Sequence, residues 1–164
     1  MKLKLVVDSA VCCGCLSCVT NCAQHHDGHA AAASARIEVE LEPFSGLHRI
    51  VHCHHCDEPE CAAVCPQGAI QPPETGPGLV VDLELCIDCH QCIEACPHGA
   101  MRHNPFAGHV IKCDLCGGEP RCVQSCFTGA LWIEREQPDP PPRPDKLQSR
   151  YFWLERTPRR GGGR

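Results

Sequence analysis

The sequence predicts an α+β fold of short strands and short helices, and three observations predict it. Sixteen of the 17 cysteines in this 164-residue chain fall into four groups of four. Segments that alternate apolar and polar residues stand between the groups, each long enough for a short strand and no more. Only 4% of the residues are aromatic. An ordinary apolar core would therefore be thin for this length, and the cysteines are the obvious substitute.

In chain order, residues 3–7 (Leu-Lys-Leu-Val-Val) read as a short strand. The first group follows as Cys12-x2-Cys15-x2-Cys18-x3-Cys22. Cys13 is out of phase with that spacing and is expected to pack as a small hydrophobe. Residues 23–35 form a linker or a partly helical insert. Residues 36–41 and 47–51 alternate with period 2 around Pro43-Phe-Ser-Gly46, which predicts a β-hairpin. The second group, Cys53-x2-Cys56-x4-Cys61-x3-Cys65-Pro66, has a wider middle gap before a short helix. The third is Cys86-x2-Cys89-x2-Cys92-x3-Cys96-Pro97. The fourth, Cys113-x2-Cys116-x5-Cys122-x3-Cys126, carries Gly117-Gly118 and Pro120 in its widened gap.

A repeat closes three of the groups: Cys65-Pro-Gln-Gly-Ala-Ile70, Cys96-Pro-His-Gly-Ala-Met101 and Cys126-Phe-Thr-Gly-Ala-Leu131. The Gly allows a sharp backbone turn, and the Ala-aliphatic pair opens a strand. Residues 69–71 are expected to pair with 79–82, and 100–103 with 109–112. Residues 130–134 have no strand after them and are expected to return to residues 3–7. Residues 1–136 then make one cysteine-rich domain, with groups two and three inserted between groups one and four. Residues 137–164 are a Pro-rich extended tail with an aromatic patch (Tyr151-Phe-Trp-Leu154) and a basic tip. They are either a disordered end or a segment that docks on a partner.

Formal charge is −5, from 15 basic and 20 acidic residues, and no long basic run lies outside the tail tip. Nucleic-acid binding is not expected. No stretch approaches the length of a membrane span. The opening Met1-Lys2-Leu3-Lys4-Leu5 has no apolar leader. That favours a reducing, cytoplasmic setting and metal binding over disulfides, although export on a partner with its own signal stays compatible. No paired acids, nucleophile context or phosphate-binding loop suggests an active site, so a non-catalytic role is expected.

The spacing C-x2-C-x2-C-x3-C-P is the one with which bacterial-type ferredoxins hold [4Fe–4S] clusters, the fourth cysteine serving a different cluster. Structural zinc sites use two C-x2-C knuckles and have no use for a third cysteine at the next i+3. With sixteen cysteines available, His25, His26, His54, His55 and His90 are expected to support clusters or lie on the surface. Asp57, Glu58 and Glu60 read as a solvated rim. Lys112, just before Cys113, is read either as a surface lysine or as a charge that raises a nearby cluster's potential.

Over roughly residues 3–134 the four groups and the Gly-Ala repeats resemble the four-cluster iron–sulfur subunits of molybdenum and tungsten oxidoreductases. They also resemble the related polyferredoxins of hydrogenases and carbon monoxide dehydrogenases. The opening Cys12-Cys13-Gly-Cys15, the hairpin around Glu42-Pro-Phe-Ser-Gly46 and Cys53-His-His-Cys56-Asp look most like the small polyferredoxin subunit of bacterial tungsten aldehyde oxidoreductase complexes.

That resemblance implies tandem ferredoxin-like units and four [4Fe–4S] clusters. It assigns one cluster to Cys12, Cys15, Cys18 and Cys126, and a second to Cys22, Cys113, Cys116 and Cys122. The third falls to Cys53, Cys56, Cys61 and Cys96, and the fourth to Cys65, Cys86, Cys89 and Cys92. It further implies electron transfer between a large tungsten- or molybdenum-pterin subunit and a flavoprotein or other acceptor, with end-to-end self-association as an added possibility. Two alternatives stay open: service to a hydrogenase or carbon monoxide dehydrogenase, and an iron–sulfur sensing or maturation module.

Overall fold

The computed structural model describes residues 3–135. The expectations for the tail, residues 137–164, lie outside the described residues. Eight short strands pair into four antiparallel two-stranded ribbons, and four short helices carry cysteines between them.

β1 (Leu3–Val7) pairs with β8 (Leu131–Arg135), Leu3 facing Arg135 and Val7 facing Leu131. This is the return of the last strand to the first that the sequence predicts. β2 (Glu38–Glu40) and β3 (Arg49–Val51) form the expected hairpin, reinforced by two hydrogen bonds from Arg49 Nη1 to the Glu40 carboxylate at 2.7 and 2.9 Å. β4 (Ile70–Gln71) pairs with β5 (Val80–Val81), and β6 (Arg102–Asn104) with β7 (His109–Ile111).

The helices are α1 (Ser17–Asp27), α2 (Glu60–Ala63), α3 (Gln91–Glu94) and α4 (Arg121–Ser125). α1 reaches further into the 23–35 insert than a linker would. It stops at Gly28, whose φ of 72° and N–H bond to Gln24 O make a left-handed cap.

Apolar contacts gather in two places. Leu3, Leu5, Val19, Ile37, Ile50, Leu115 and Leu131 pack with the buried Cys18, Cys22 and Cys122. Ile70, Met101 and Val110 pack with Cys92. Cysteines thus belong to both cores, which explains how a chain so poor in aromatics holds together. The two regions are joined by Asn104, fully buried, whose Nδ2 donates to Asp27 Oδ2 at 2.6 Å. His52, also buried, donates from Nε2 to Leu5 O at 3.1 Å.

Candidate iron–sulfur site

The cysteine loops share one backbone device. In Cys12–Cys18 the left-handed residues are Gly14 (φ 67°) and Leu16 (φ 60°). In Cys86–Cys92 they are Asp88 (φ 52°) and His90 (φ 64°). His55 (φ 48°) and Leu115 (φ 55°) stand two residues after Cys53 and Cys113. Left-handed conformations are costly for residues with a Cβ, so something must repay them. The repeated turns show a partner for that strain. Gly68, Gly99 and Gly129 take φ of 62°, 61° and 75°. The N–H of each closes on the carbonyl of the cysteine three residues earlier. In two repeats the next amide then points at sulfur: Ala69 N–H to Cys65 Sγ and Ala100 N–H to Cys96 Sγ, both 3.3 Å. In the third, Ala130 N–H goes to Thr128 Oγ1 at 3.4 Å, and Thr128 in turn lies 3.6 Å from Cys126 Sγ.

The thiols gather in neighbourhoods. Burial pushes Cys18 up to about 12, and the charges of Cys126, Cys15 and Cys12 push the same way. Burial also raises Cys122, with Cys113, Cys22 and Cys116 adding to it. Cys61 is raised by burial and by Cys53 and Cys96, against the opposing charge of Lys112. Burial lifts Cys92 to about 11, and Cys86, Cys61 and Cys65 contribute. One cavity is lined by Cys53, Cys56, Cys61 and Cys96, together with His54, His55 and Lys112. Another is lined by Cys65, Cys86, Cys89 and Cys92. Neighbourhoods also meet: Cys18 and Cys122 share one core, Cys61 packs against the core of Cys92, and Lys112, next to Cys113, reaches Cys53.

Four cysteines converging on each of two cavities make a donor set that fits a thiolate-bound metal group. The pocket walls fit an anionic, sulfur-rich group. Both ring nitrogens of His55 are buried without a hydrogen-bond partner. Burial holds that ring neutral, down to about 4. Gly78 at φ 81° lets the backbone pass so close that a Cβ there would meet His55 Nδ1 at 2.5 Å.

One expectation needs correction, and one of the two readings of Lys112 falls. Cys13 is exposed, not packed as a hydrophobe, because the tight loop that turns Cys12 and Cys15 leaves the residue between them facing outward. Lys112 is not a surface lysine: it is 5% exposed, and its amine faces Cys53 rather than Cys113.

His54 and His90 are exposed and His25 lies on the surface of α1, whereas His26 and His55 are largely buried. Asp57, Glu58 and Glu60 are exposed, as a rim should be. Sequence reasoning missed the stack of His52, His54 and His98, with ring centroids 4.6 and 3.7 Å apart. It also missed the pairing of Arg36 with Asp114 at 2.9 Å, beside Cys22. His98 and Asp114 come from parts of the sequence distant from their partners, so neither arrangement leaves a local signal.

Comparison with known proteins settles the kinship. Residues 48–136 match the family model described as the 4Fe-4S dicluster domain. The chain belongs to the 4Fe-4S dicluster family. It is 36% identical over 143 residues to the probable anaerobic dimethyl sulfoxide reductase chain YnfG of Escherichia coli, covering 76% of this chain and 69% of the relative. To the polyferredoxin-like subunit of the aliphatic sulfonate oxidoreductase of Pyrococcus furiosus it is 34% identical over 125 residues, covering 76% and 72%. To the putative electron transport protein YsaA of E. coli it is 36% identical over 148 residues, covering 80% and 88%.

In fold, this dicluster protein is similar to a chain of the active site complex BamBC of benzoyl coenzyme A reductase. The TM-score is 0.51 at 22% identity, with 94% of this chain and 90% of that one covered. The α+β ferredoxin-like fold expected from the sequence is therefore present. The chain is an iron–sulfur electron-transfer protein rather than an enzyme in its own right. Among the described residues no helix is long and apolar enough to cross a membrane.

Proposed function

We propose that this chain carries four [4Fe–4S] clusters and passes electrons between a large catalytic oxidoreductase subunit and a separate redox acceptor. The observation that carries the reading is the linkage of the thiol neighbourhoods. Cys12, Cys15, Cys18 and Cys126 would hold the first cluster, and Cys22, Cys113, Cys116 and Cys122 the second. Cys53, Cys56, Cys61 and Cys96 would hold the third, and Cys65, Cys86, Cys89 and Cys92 the fourth. Cys18 and Cys122 in one core, Cys61 packed against the core of Cys92, and Lys112 reaching from beside Cys113 to Cys53 support a single line running from first to fourth. A bound cluster supplies reversible one-electron exchange. The protein supplies the thiolates, the amides aimed at sulfur and the burial that tunes each potential.

The two apolar cores support a division of residues 1–136 into two units, groups one and four in one and groups two and three in the other. Residues 137–164 then serve as the partner-docking tail. Relatives named as a dimethyl sulfoxide reductase chain and as a subunit of an aliphatic sulfonate oxidoreductase support a catalytic partner. The motifs at Cys12–Cys15, Glu42–Gly46 and Cys53–Asp57 favour a tungsten or molybdenum pterin partner of the aldehyde oxidoreductase kind. The other contact would be a flavoprotein or similar acceptor in a reducing, cytoplasmic setting, and copies would be able to stack end to end. A sensing role has one observation in its favour, the exposed Cys13 thiol.

The deciding experiment is metal analysis of the native complex, isolated without oxygen through a tag on this chain. About sixteen irons per copy, four per cluster, with tungsten or molybdenum is the expected result. Nickel would move the partner to the hydrogenase or carbon monoxide dehydrogenase branch. Zinc in place of iron would overturn the reading.

A further inference from the structure

The four cysteine neighbourhoods differ in the charge that stands beside them. Near Cys15 and Cys126 the nearest polar partners are neutral hydroxyls, Ser17 Oγ at 3.4 Å and Thr128 Oγ1 at 3.6 Å. Beside Cys22 stands Arg36, but its guanidinium is held by Asp114 at 2.9 Å, so the two charges largely cancel. The cavity of Cys65, Cys86, Cys89 and Cys92 is lined by the Asp88 carboxylate and by no Lys or Arg.

The cavity of Cys53, Cys56, Cys61 and Cys96 is different. Lys112 lines it, and Nζ donates to Cys53 Sγ at 3.2 Å across 59 positions of sequence. Among the described residues it is the one buried Lys or Arg. None of the ion pairs formed among those residues includes it. A buried ammonium outside any ion pair is costly unless an anion meets it. Among the described residues the hydrogen bond of Lys112 goes to sulfur, while Asp114, on the cavity at its other side, is paired with Arg36.

We infer that Lys112 makes the cluster of Cys53, Cys56, Cys61 and Cys96 the most readily reduced of the four, the place where an electron rests on its way through the chain. This rests on the four-cluster reading given above. The step adds one electron from the donor subunit and moves no proton. The added negative charge is stabilised by the nearby ammonium more than the oxidised state is, so the equilibrium favours the reduced form. Lys112 is a positioning and charge-setting residue, since its contact is the ligand and not the electron donor. Its placement just before Cys113 also puts this charge between the second and third neighbourhoods, midway along the line.

The test uses the full chain, purified without oxygen, with iron per copy measured first. Dithionite titrations followed by EPR are then run on wild type, Lys112→Met and Lys112→Arg. In Lys112→Met the first cluster to reduce should become at least tenfold harder to reduce, about 59 mV for one electron. The other three should stay in place, and Lys112→Arg should restore the wild-type order. Should Lys112→Met lose iron, Lys112→Gln carries the same test, because it keeps an N–H for Cys53 without the charge. Unchanged potentials in an iron-replete uncharged variant would overturn the inference, as would an equal shift of all four clusters. Wild-type iron far below sixteen per copy would instead overturn the four-cluster reading.

Discussion

Residues placed where their own preferences oppose them are the sharpest mark of a site in this chain. Leu16, His55, Asp88, His90 and Leu115 all adopt left-handed backbone within or beside C-x2-C loops. Each does so where glycine would be easier, and each lies in a loop that carries cysteines. The repeat glycines show the same demand met the cheap way. Gly99 has open space around its Cα, so its φ of 61° is the whole constraint. Gly99→Ala should cost about 1–2 kcal/mol for a left-handed alanine. The check is an earlier guanidinium midpoint for loss of cluster absorbance. Such turns were legible in the sequence because C-x-x-G-A recurs. The target of Lys112 was not, because adjacency to Cys113 points to one neighbourhood and the long side chain reaches another. Cys13 misled for a related reason: cysteines are usually buried, but this one, on the loop between Cys12 and Cys15, is exposed.

At the scale of elements, the ribbons were legible from period-2 patterning and from the turn residues between them. All four pairings expected from the sequence are present; β1 and β8 keep their expected length, while β2 to β5 are shorter than the patterns that announced them. β6 begins at Arg102 because Ala100 and Met101 are taken into the turn beside Cys96. The extra reach of α1 was less visible, since Gln-His-His-Asp reads as polar loop until Gly28 caps it. The β1–β8 ribbon carries the most apolar packing, with Leu5 5% exposed against Cys18 and Cys122. Leu5→Ala should cost about 2–5 kcal/mol. In denaturant, the EPR signals tied to the Cys18 and Cys122 neighbourhoods should then disappear before those of Cys61 and Cys92. Simultaneous loss of all signals would mean that the two cores unfold as one.

For the whole molecule, two small cores and few cross-links leave the cysteine sites to supply most of the cohesion. Asn104 to Asp27 and His52 to Leu5 O are well-made contacts, yet a hydrogen bond contributes only about 1 kcal/mol net. Removing iron should therefore leave a largely unfolded chain. Circular dichroism after anaerobic chelation measures this directly, and a near-native spectrum would contradict it. The formal charge of −5, deepened by about −2 for each oxidised cluster with its four thiolates, should steer the molecule to basic surfaces on its partners. Cofactor class was thus legible from the cysteine spacing and kinship from the motifs that carry the resemblance, whereas the proposed ordering of potentials depends on side chains that only folding brings together.

The β1–β8 ribbon also sets a timetable. A ribosome adding about 5–20 residues each second exposes Cys12, Cys15 and Cys18 several seconds before Cys126 and the strand that seats beside β1. Groups two and three emerge in between and, on the proposed pairing, would have their partners already at hand. Metal loading should begin in the middle of the chain and finish at the pairing of its first strand with its last. A stalled or nicked nascent chain would then hold half its iron and leave an open edge at β1.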